Sequence, residues 1–302
     1  MATEMPAAGL SDNARGALIM TASMAAFTFN DACVKAVSGD MPLFQLLMLR
    51  GMATTILICG LAWYMGALRW RFGARDWSLI AVRSLAEVGA AFFFITALRH
   101  MPIANITAIL QVLPLTMTLG VALFFKEPVG WRRMVAILVG FCGVLLIVRP
   151  GPEGFDVNAG YALMAVGFVT LRDLVTRRMS SAAPSMMITL SASVGVLIFS
   201  AVATTGETWV AVGVRDAGLI LGASVLIFGG YLFSVMVMRV GEMSFIAPFR
   251  YSGLLWALVL GWIAFGHWPE PLTLLGSAIV VATGVFTFYR EGRVARRARL
   301  RS

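Results

Sequence analysis

The sequence predicts an all-α integral membrane protein, with ten transmembrane helices forming two inverted five-helix repeats. Three observations predict it. First, 59% of the residues are hydrophobic and only 13% are charged, against about half and about a quarter in soluble domains. So few ionised groups cannot cover a water-exposed surface of this size. Second, a spanning helix takes roughly 20 apolar residues, so 302 residues hold about ten spans with short loops and no separate soluble domain. Third, the second half of the chain echoes the first.

Apolar runs punctuated by Gly, Pro and basic clusters place the helices at 14–35, 42–66, 77–98, 102–125, 131–149, 158–178, 184–205, 216–238, 243–265 and 271–290. Residues 1–13 form an N-terminal tail, 14–149 the first repeat, 150–157 a linker, 158–290 the second repeat and 291–302 a basic tail. A signal peptide over residues 1–30 is the poorer reading, because Arg15 is its only basic residue and further spans follow at once. The segments ALRHMPIAN and VMRVGEMSF leave room only for tight turns.

Lys and Arg set the orientation. With the N-terminus in the cytoplasm, 16 of the 24 basic residues fall on the cytoplasmic side and 4 outside: Lys35, Arg99, Arg149 and Arg215. The remaining 4 lie within spans. Both termini are therefore expected in the cytoplasm, in a bacterial inner membrane. The basic surplus then marks topology and contact with anionic membrane lipids, not nucleic acid. No G-x-x-x-x-G-K-[ST] loop occurs, so no ATP-hydrolysing phosphate site is expected. Cys33, Cys59 and Cys142 fit no metal spacing and read as small packing residues. No cofactor is expected.

The repeat aligns Arg99 with Arg239 and Gln111 with Tyr251 at an offset of 140. NDACVK (30–35) aligns with RDLVTR (172–177) at 142, setting Asp31 against Asp173 and Lys35 against Arg177. Pro42 matches Pro184, and Gly143 matches Gly284. Five helices per half is an odd number, so the halves insert with opposite orientation, as secondary transporters often do.

Charged side chains inside a membrane cost at least about 2.5–3.5 kcal/mol on insertion scales and usually face a wet interior. Each is thus a candidate site residue. Arg83 and Glu87 stand four apart on helix three; they form either a structural ion pair or a site in which Glu87 binds a cation or a proton. Asp31 with Lys35, and Arg172 and Asp173 with Arg177, are either rim salt bridges or gates at opposite mouths. Arg250 has no acid within four residues and follows Pro248. It either pairs with Glu87 across the bundle or holds an anion or a flat ring beside Tyr251 and Trp256. Asn105 and Gln111 are hydrogen-bonders suited to a polar cavity or to helix–helix contact. Pro114 and Pro248 interrupt central helices. Trp70, Trp77, Trp131, Trp209 and Trp268 fall at span ends, where an interfacial belt is expected.

The block FFFITALRHMPIANITAILQVLPLTMTLGVALFFKEPVGWRRMVAILVGFCGVLLIVRPG resembles the drug/metabolite transporter superfamily, in its ten-helix EamA-type branch. Pro114, Glu127 and Arg50 stand where that family keeps Pro, Glu and an arginine. The second half departs from the pattern: Leu254 and His267 replace the proline and glutamate matching Pro114 and Glu127. The resemblance implies a secondary active transporter with a central cavity for a small polar metabolite such as riboflavin, S-adenosylmethionine or an amino acid. Export of a metallophore or toxic metabolite is the alternative. Protons are a candidate coupling ion, and a homodimer is possible under this reading. A channel or a membrane-embedded enzyme is the competing class; against the enzyme, His100 and His267 stand far apart and no H-E-x-x-H occurs.

Overall fold

A computed structural model describes residues 12–66, 73–126, 130–149, 156–180, 185–237, 240 and 243–299. Within them lie α1 (Asp12–Val37), α2 (Leu43–Tyr64), α3 (Ala74–His100), α4 (Ile103–Leu110), α5 (Leu113–Phe125), α6 (Trp131–Val148), α7 (Val157–Arg177), α8 (Ser185–Ala203), α9 (Val214–Val237), α10 (Met243–Ile246), α11 (Ser252–Phe265) and α12 (Pro271–Arg299). Ten segments are long and apolar enough to cross a membrane. Two of them are broken. The fourth divides into α4 and α5 at Gln111–Val112. The ninth divides into α10 and α11 around a 3-10 turn, Ala247–Tyr251. Each break holds a proline within three residues, Pro114 and Pro248. Proline has no N–H to donate and its ring crowds the carbonyl four residues back.

One boundary moves substantially. The last helix continues to Arg299, nine residues past the expected end at 290. Its Ala- and Arg-rich sequence favours helix strongly enough to carry it out of the apolar span. Glu127, Arg69, Arg71, Trp70, Arg239 and Pro184 lie outside the described residues, as does most of the expected N-terminal tail and linker. Trp77, Trp131, Trp209 and Trp268 are exposed.

Helix pairing follows the repeat. The first helix of the first half, α1, packs most extensively on α9, the third helix of the second half. Reciprocally, α3 packs on α7. Helix α2 packs on its own counterpart α8, and α6 on α12. This is the pattern of a quasi-two-fold axis lying in the membrane plane. The two reciprocal interfaces are built alike. At Gly230 on α9 a methyl group would sit 2.8 Å from the Phe27 ring; at Gly89 on α3 it would sit 2.6 Å from the Phe168 ring. Both pairs are related by 141 positions. Only glycine lets the aromatic ring lie this close to the facing backbone.

The bundle thus has two walls flanking its centre, one of α1, α9 and α11, the other of α3, α4–α5 and α7. At the end where α1 finishes, the walls meet in the largest hydrophobic cluster, which includes Val34, Val37, Met41, Leu46, Leu98, Ile103 and Ile106. There α4 packs on α11, with Ile103 and Ala104 against Gly261. Towards the end where α1 begins, α5 turns instead to α7 and α6.

Candidate functional site

Between the walls lies a cavity of about 590 Å³. It runs from mid-bundle towards the end where α1 begins, reaching Met20 on α1, Thr176 in the last turn of α7 and Ser234 near the end of α9. Arg50, Arg83, Arg172, Arg250, Asp31, Glu87 and Asp173 all line it. These are the four arginines and three acids that the sequence leaves inside spans. Basic groups therefore outnumber acidic ones in the cavity by one.

Helices α3 and α7 bring four of these groups together. Arg172 Nη1 donates to Glu87 Oε1 at 3.3 Å, and its Nε donates to Asp173 Oδ1 at 2.8 Å. Arg83 approaches Glu87 Oε2 at 3.8 Å. Arg83 also donates through Nε to Thr176 Oγ1 at 3.1 Å and through Nη1 to the Ile188 carbonyl at 3.4 Å, tying α3 to α7 and α8. Two guanidinium groups and two carboxylates thus share one network, and each half-buried charge has a counter-charge. Half-buried ions need such partners because the medium around them solvates charge poorly.

A second, looser group sits on α1 and α2. Arg50 Nη1 donates to Asn30 Oδ1 at 3.3 Å, and Asn30 Nδ2 donates to Asp31 Oδ1 at 2.8 Å. Tyr231 also lines the cavity, its ring edge-on to Phe27 at 5.4 Å between centroids. Arg250 stands apart. It is exposed within the cavity and makes no hydrogen bond or ion pair among the described residues. Tyr251, beside it at the helix break, lines the cavity with its ring while its hydroxyl is buried against Gly284 without a hydrogen bond.

Several expected pairings are replaced. Asp31 and Lys35 do not pair. Lys35 Nζ donates to the carbonyls of Leu98 and Met101, both at 2.7 Å, where α3 ends. A helix C-terminus carries a row of unsatisfied carbonyls and partial negative charge, so it competes well for the ammonium. Arg250 does not reach Glu87, which is held by Arg172 and Arg83. Arg172 and Asp173 form one network with Glu87 instead of a separate rim pair with Arg177; the Arg177 guanidinium lies over the Phe125 ring at 5.4 Å. Gln111 and Pro114 line the cavity, whereas Asn105, Trp256, Lys35, Arg177 and Pro248 do not. Trp256 packs on Phe29 at 6.0 Å. Asn30 and Tyr231 are among the cavity residues that the sequence reading passed over. Asn30 had a signal, because the repeat sets it against Arg172. Tyr231 had none, being an aromatic residue in an apolar run.

The chain resembles known proteins along most of its length. Residues 14–149 match the EamA-like transporter family. A riboflavin transporter of Vibrio cholerae is 28% identical over 224 residues, 74% of this chain and 74% of that protein. The pseudopaline exporter CntI of Pseudomonas aeruginosa is 26% identical over 87% of this chain and 93% of its own length. An S-adenosylmethionine uptake transporter of Rickettsia conorii is 22% identical over 65% of this chain and 66% of its own length. A crystal structure with 16% sequence identity shares the fold at a TM-score of 0.66, over 93% of this chain and 98% of the other. With ten helices among the described residues long and apolar enough to cross a membrane, the chain is a multi-pass membrane protein, and its first half matches the EamA-like transporter family.

Proposed function

We propose that the chain is a secondary active transporter that carries a small polar organic metabolite across the bacterial inner membrane by alternating access. The candidate substrates are riboflavin, S-adenosylmethionine, an amino acid or a related zwitterion. The observation that carries this reading is the single cavity that collects seven intramembrane ionisable groups between the two walls. A volume of about 590 Å³ lies within the roughly 300–1,000 Å³ range of small-molecule sites.

The chemistry narrows the substrate. The carboxylates of Glu87 and Asp173 are occupied by Arg172 and Arg83. The unpartnered guanidinium of Arg250 supports binding of an acidic group on the substrate, by two parallel N–H···O bonds to a carboxylate or phosphate. Phe27, Phe94 and Tyr231 offer flat apolar faces to a ring. On the positive-inside count the end where α1 begins is cytoplasmic, with both termini there, so this conformation is the inward-facing one. Rocking the α1–α9–α11 wall against the α3–α5–α7 wall would close that end and part the other.

The pseudopaline exporter is matched over 93% of its length, which favours outward transport of a related metallophore as the second reading. Uptake into liposomes containing the purified chain tests both. Saturable entry of labelled riboflavin, S-adenosylmethionine, amino acids or a metallophore, stimulated by the same compound inside, is the expected result. Entry of none, with or without a pH gradient, would falsify the transport assignment for these classes.

A further inference from the structure

The repeat sets up a comparison that the two halves answer differently. Asp31 on α1 and Asp173 on α7 occupy equivalent positions, 142 residues apart. Both line the cavity. The residue before each is not equivalent in charge: Asn30 precedes Asp31, and Arg172 precedes Asp173. Arg172 donates directly to Asp173 at 2.8 Å, so that carboxyl group sits in an ion pair. Asp31 receives instead one bond from the neutral Asn30 amide, also at 2.8 Å, and has no ion pair among the described residues.

The amide is held for this task. Asn30 is buried, 2% exposed. Arg50 donates to its oxygen, so its NH₂ must face Asp31. The Arg50 guanidinium bonds the amide oxygen and makes no hydrogen bond to the Asp31 carboxyl group, on which it acts through space. A carboxyl group bonded by a neutral donor through one oxygen keeps the other free to carry a proton. A carboxylate in a guanidinium pair would have to break that pair first.

Resting on the transport reading above, we propose that Asp31 is the proton-carrying group of the cavity. It takes a proton from water when the cavity faces one side and releases it to water on the other, cycling between the carboxylic acid and the carboxylate. The elements packed on α1 present to the same cavity Arg83 and Glu87 from α3, Tyr231 from α9, and Arg250 and Tyr251 from the 3-10 turn, and α2 adds Arg50, bonded to Asn30. Of the acids among them, Glu87 is held between two arginines. On α1 itself, Lys35 is turned away onto the α3 carbonyls. Asp31 is therefore the cavity carboxyl group that can change protonation without dismantling the α3–α7 network.

Infrared titration of the purified chain in liposomes tests this without any substrate. The expected result is a carbonyl stretch of a protonated carboxyl group at a pH where exposed carboxylates are ionised. It should shift with isotope-labelled aspartate, vanish in Asp31→Asn and persist in Asp173→Asn. Asp31→Glu should restore a titrating band that no longer shifts with the aspartate label, which guards against loss by misfolding. No such aspartate band in the wild type, or one that survives Asp31→Asn, overturns the proposal. A dye reporting internal pH gives the second readout. Any of riboflavin, S-adenosylmethionine or an amino acid that enters the wild-type liposomes should move protons with or against it, and should not do so in Asp31→Asn. Entry with no proton movement in the wild type overturns the coupling role and leaves the transport reading intact.

Discussion

The two ends of the bundle are built from equivalent residues and do different things. At the end where α1 finishes, Lys35 lies over the Phe265 ring at 5.9 Å and its ammonium crosses to the Leu98 and Met101 carbonyls of the opposite wall. At the other end, Arg177 lies over the Phe125 ring at 5.4 Å. Lys35 matches Arg177 and Phe265 matches Phe125, at offsets of 142 and 140. The cation–ring contact therefore belongs to each wall and is present at both ends. At the end where α1 finishes, Lys35 in addition bonds across to the opposite wall. There the seal is polar and specific as well as apolar. Glu207 accepts from the backbone N–H groups of Phe44 and Gln45 at 3.1 Å, capping α2, and Gln45 exchanges two bonds with the Val210 backbone at 2.8 and 3.0 Å. The comparison teaches that the charged side chains Lys35 and Glu207 bond main-chain groups that a helix end leaves unsatisfied in any case.

The comparison can be sharpened by removing groups from each end in turn. The largest effect is expected within the cavity. No described residue pairs with the Arg250 guanidinium, so Arg250→Ala should leave the folded, inserted protein intact. A charge-assisted hydrogen bond contributes about 1.5–3 kcal/mol, so substrate entry into liposomes should fall about ten- to a hundredfold, with Arg250→Lys in between. Wild-type entry in Arg250→Ala would remove this residue from the site. Glu87→Gln should lower entry at least as much, and because it removes the carboxylate between Arg83 and Arg172 it should lower the melting temperature as well. Thermal unfolding in detergent separates the two variants.

Next in size is the seal. Lys35→Met keeps the side-chain length and loses both bonds to α3. It should shift the population towards the conformation open at that end by about tenfold or more, given two charge-assisted bonds lost. Cys33, two residues away and half-buried, is the native reporter. In a chain with Cys59 and Cys142 replaced by alanine, a membrane-impermeant thiol reagent should label Cys33 faster in Lys35→Met. Unchanged labelling would mean that the hydrophobic cluster alone holds this end shut.

A smaller effect is expected at the α2 cap. Glu207→Gln keeps an acceptor for the α2 N–H groups and loses the interaction of negative charge with the helix dipole, about 0.3–1 kcal/mol. The melting temperature should drop by a few degrees at most, with little change in transport. The smallest belongs to Arg215, paired with Asp40 at 3.5 Å on the surface, with side chains 68% and 59% exposed. Such pairs contribute about 0–1 kcal/mol, and Arg215→Gln should leave both melting and transport unchanged. A large loss there would show that the closed end depends on its rim as well as on its interior.

By itself the sequence determined that this is a ten-helix membrane protein, that its halves repeat, and which charges lie inside spans. Those properties are local or periodic: hydropathy over one span, punctuation by Gly and Pro, and residue matches at a fixed offset. The breaks at Gln111 and Tyr251 were legible too, because each lies three residues from a proline and the repeat aligns them. What the tertiary structure decided is which charges meet. The partner of Glu87 is Arg172 and not Arg250, because α3 lies along α7. Lys35 serves the end of α3 and not Asp31, four residues away on its own helix, because unsatisfied carbonyls face it there. Asn105 and Trp256 fall outside the cavity, and Tyr231 falls inside, because helix rotation about its own axis is set by packing across the quasi-two-fold axis. An apolar helix in a membrane carries no amphipathic stripe to announce that rotation, since lipid and protein interior are alike to it. The choice of face is made by close contacts such as Phe27 on Gly230 and Phe168 on Gly89, which exist only when the two halves are assembled.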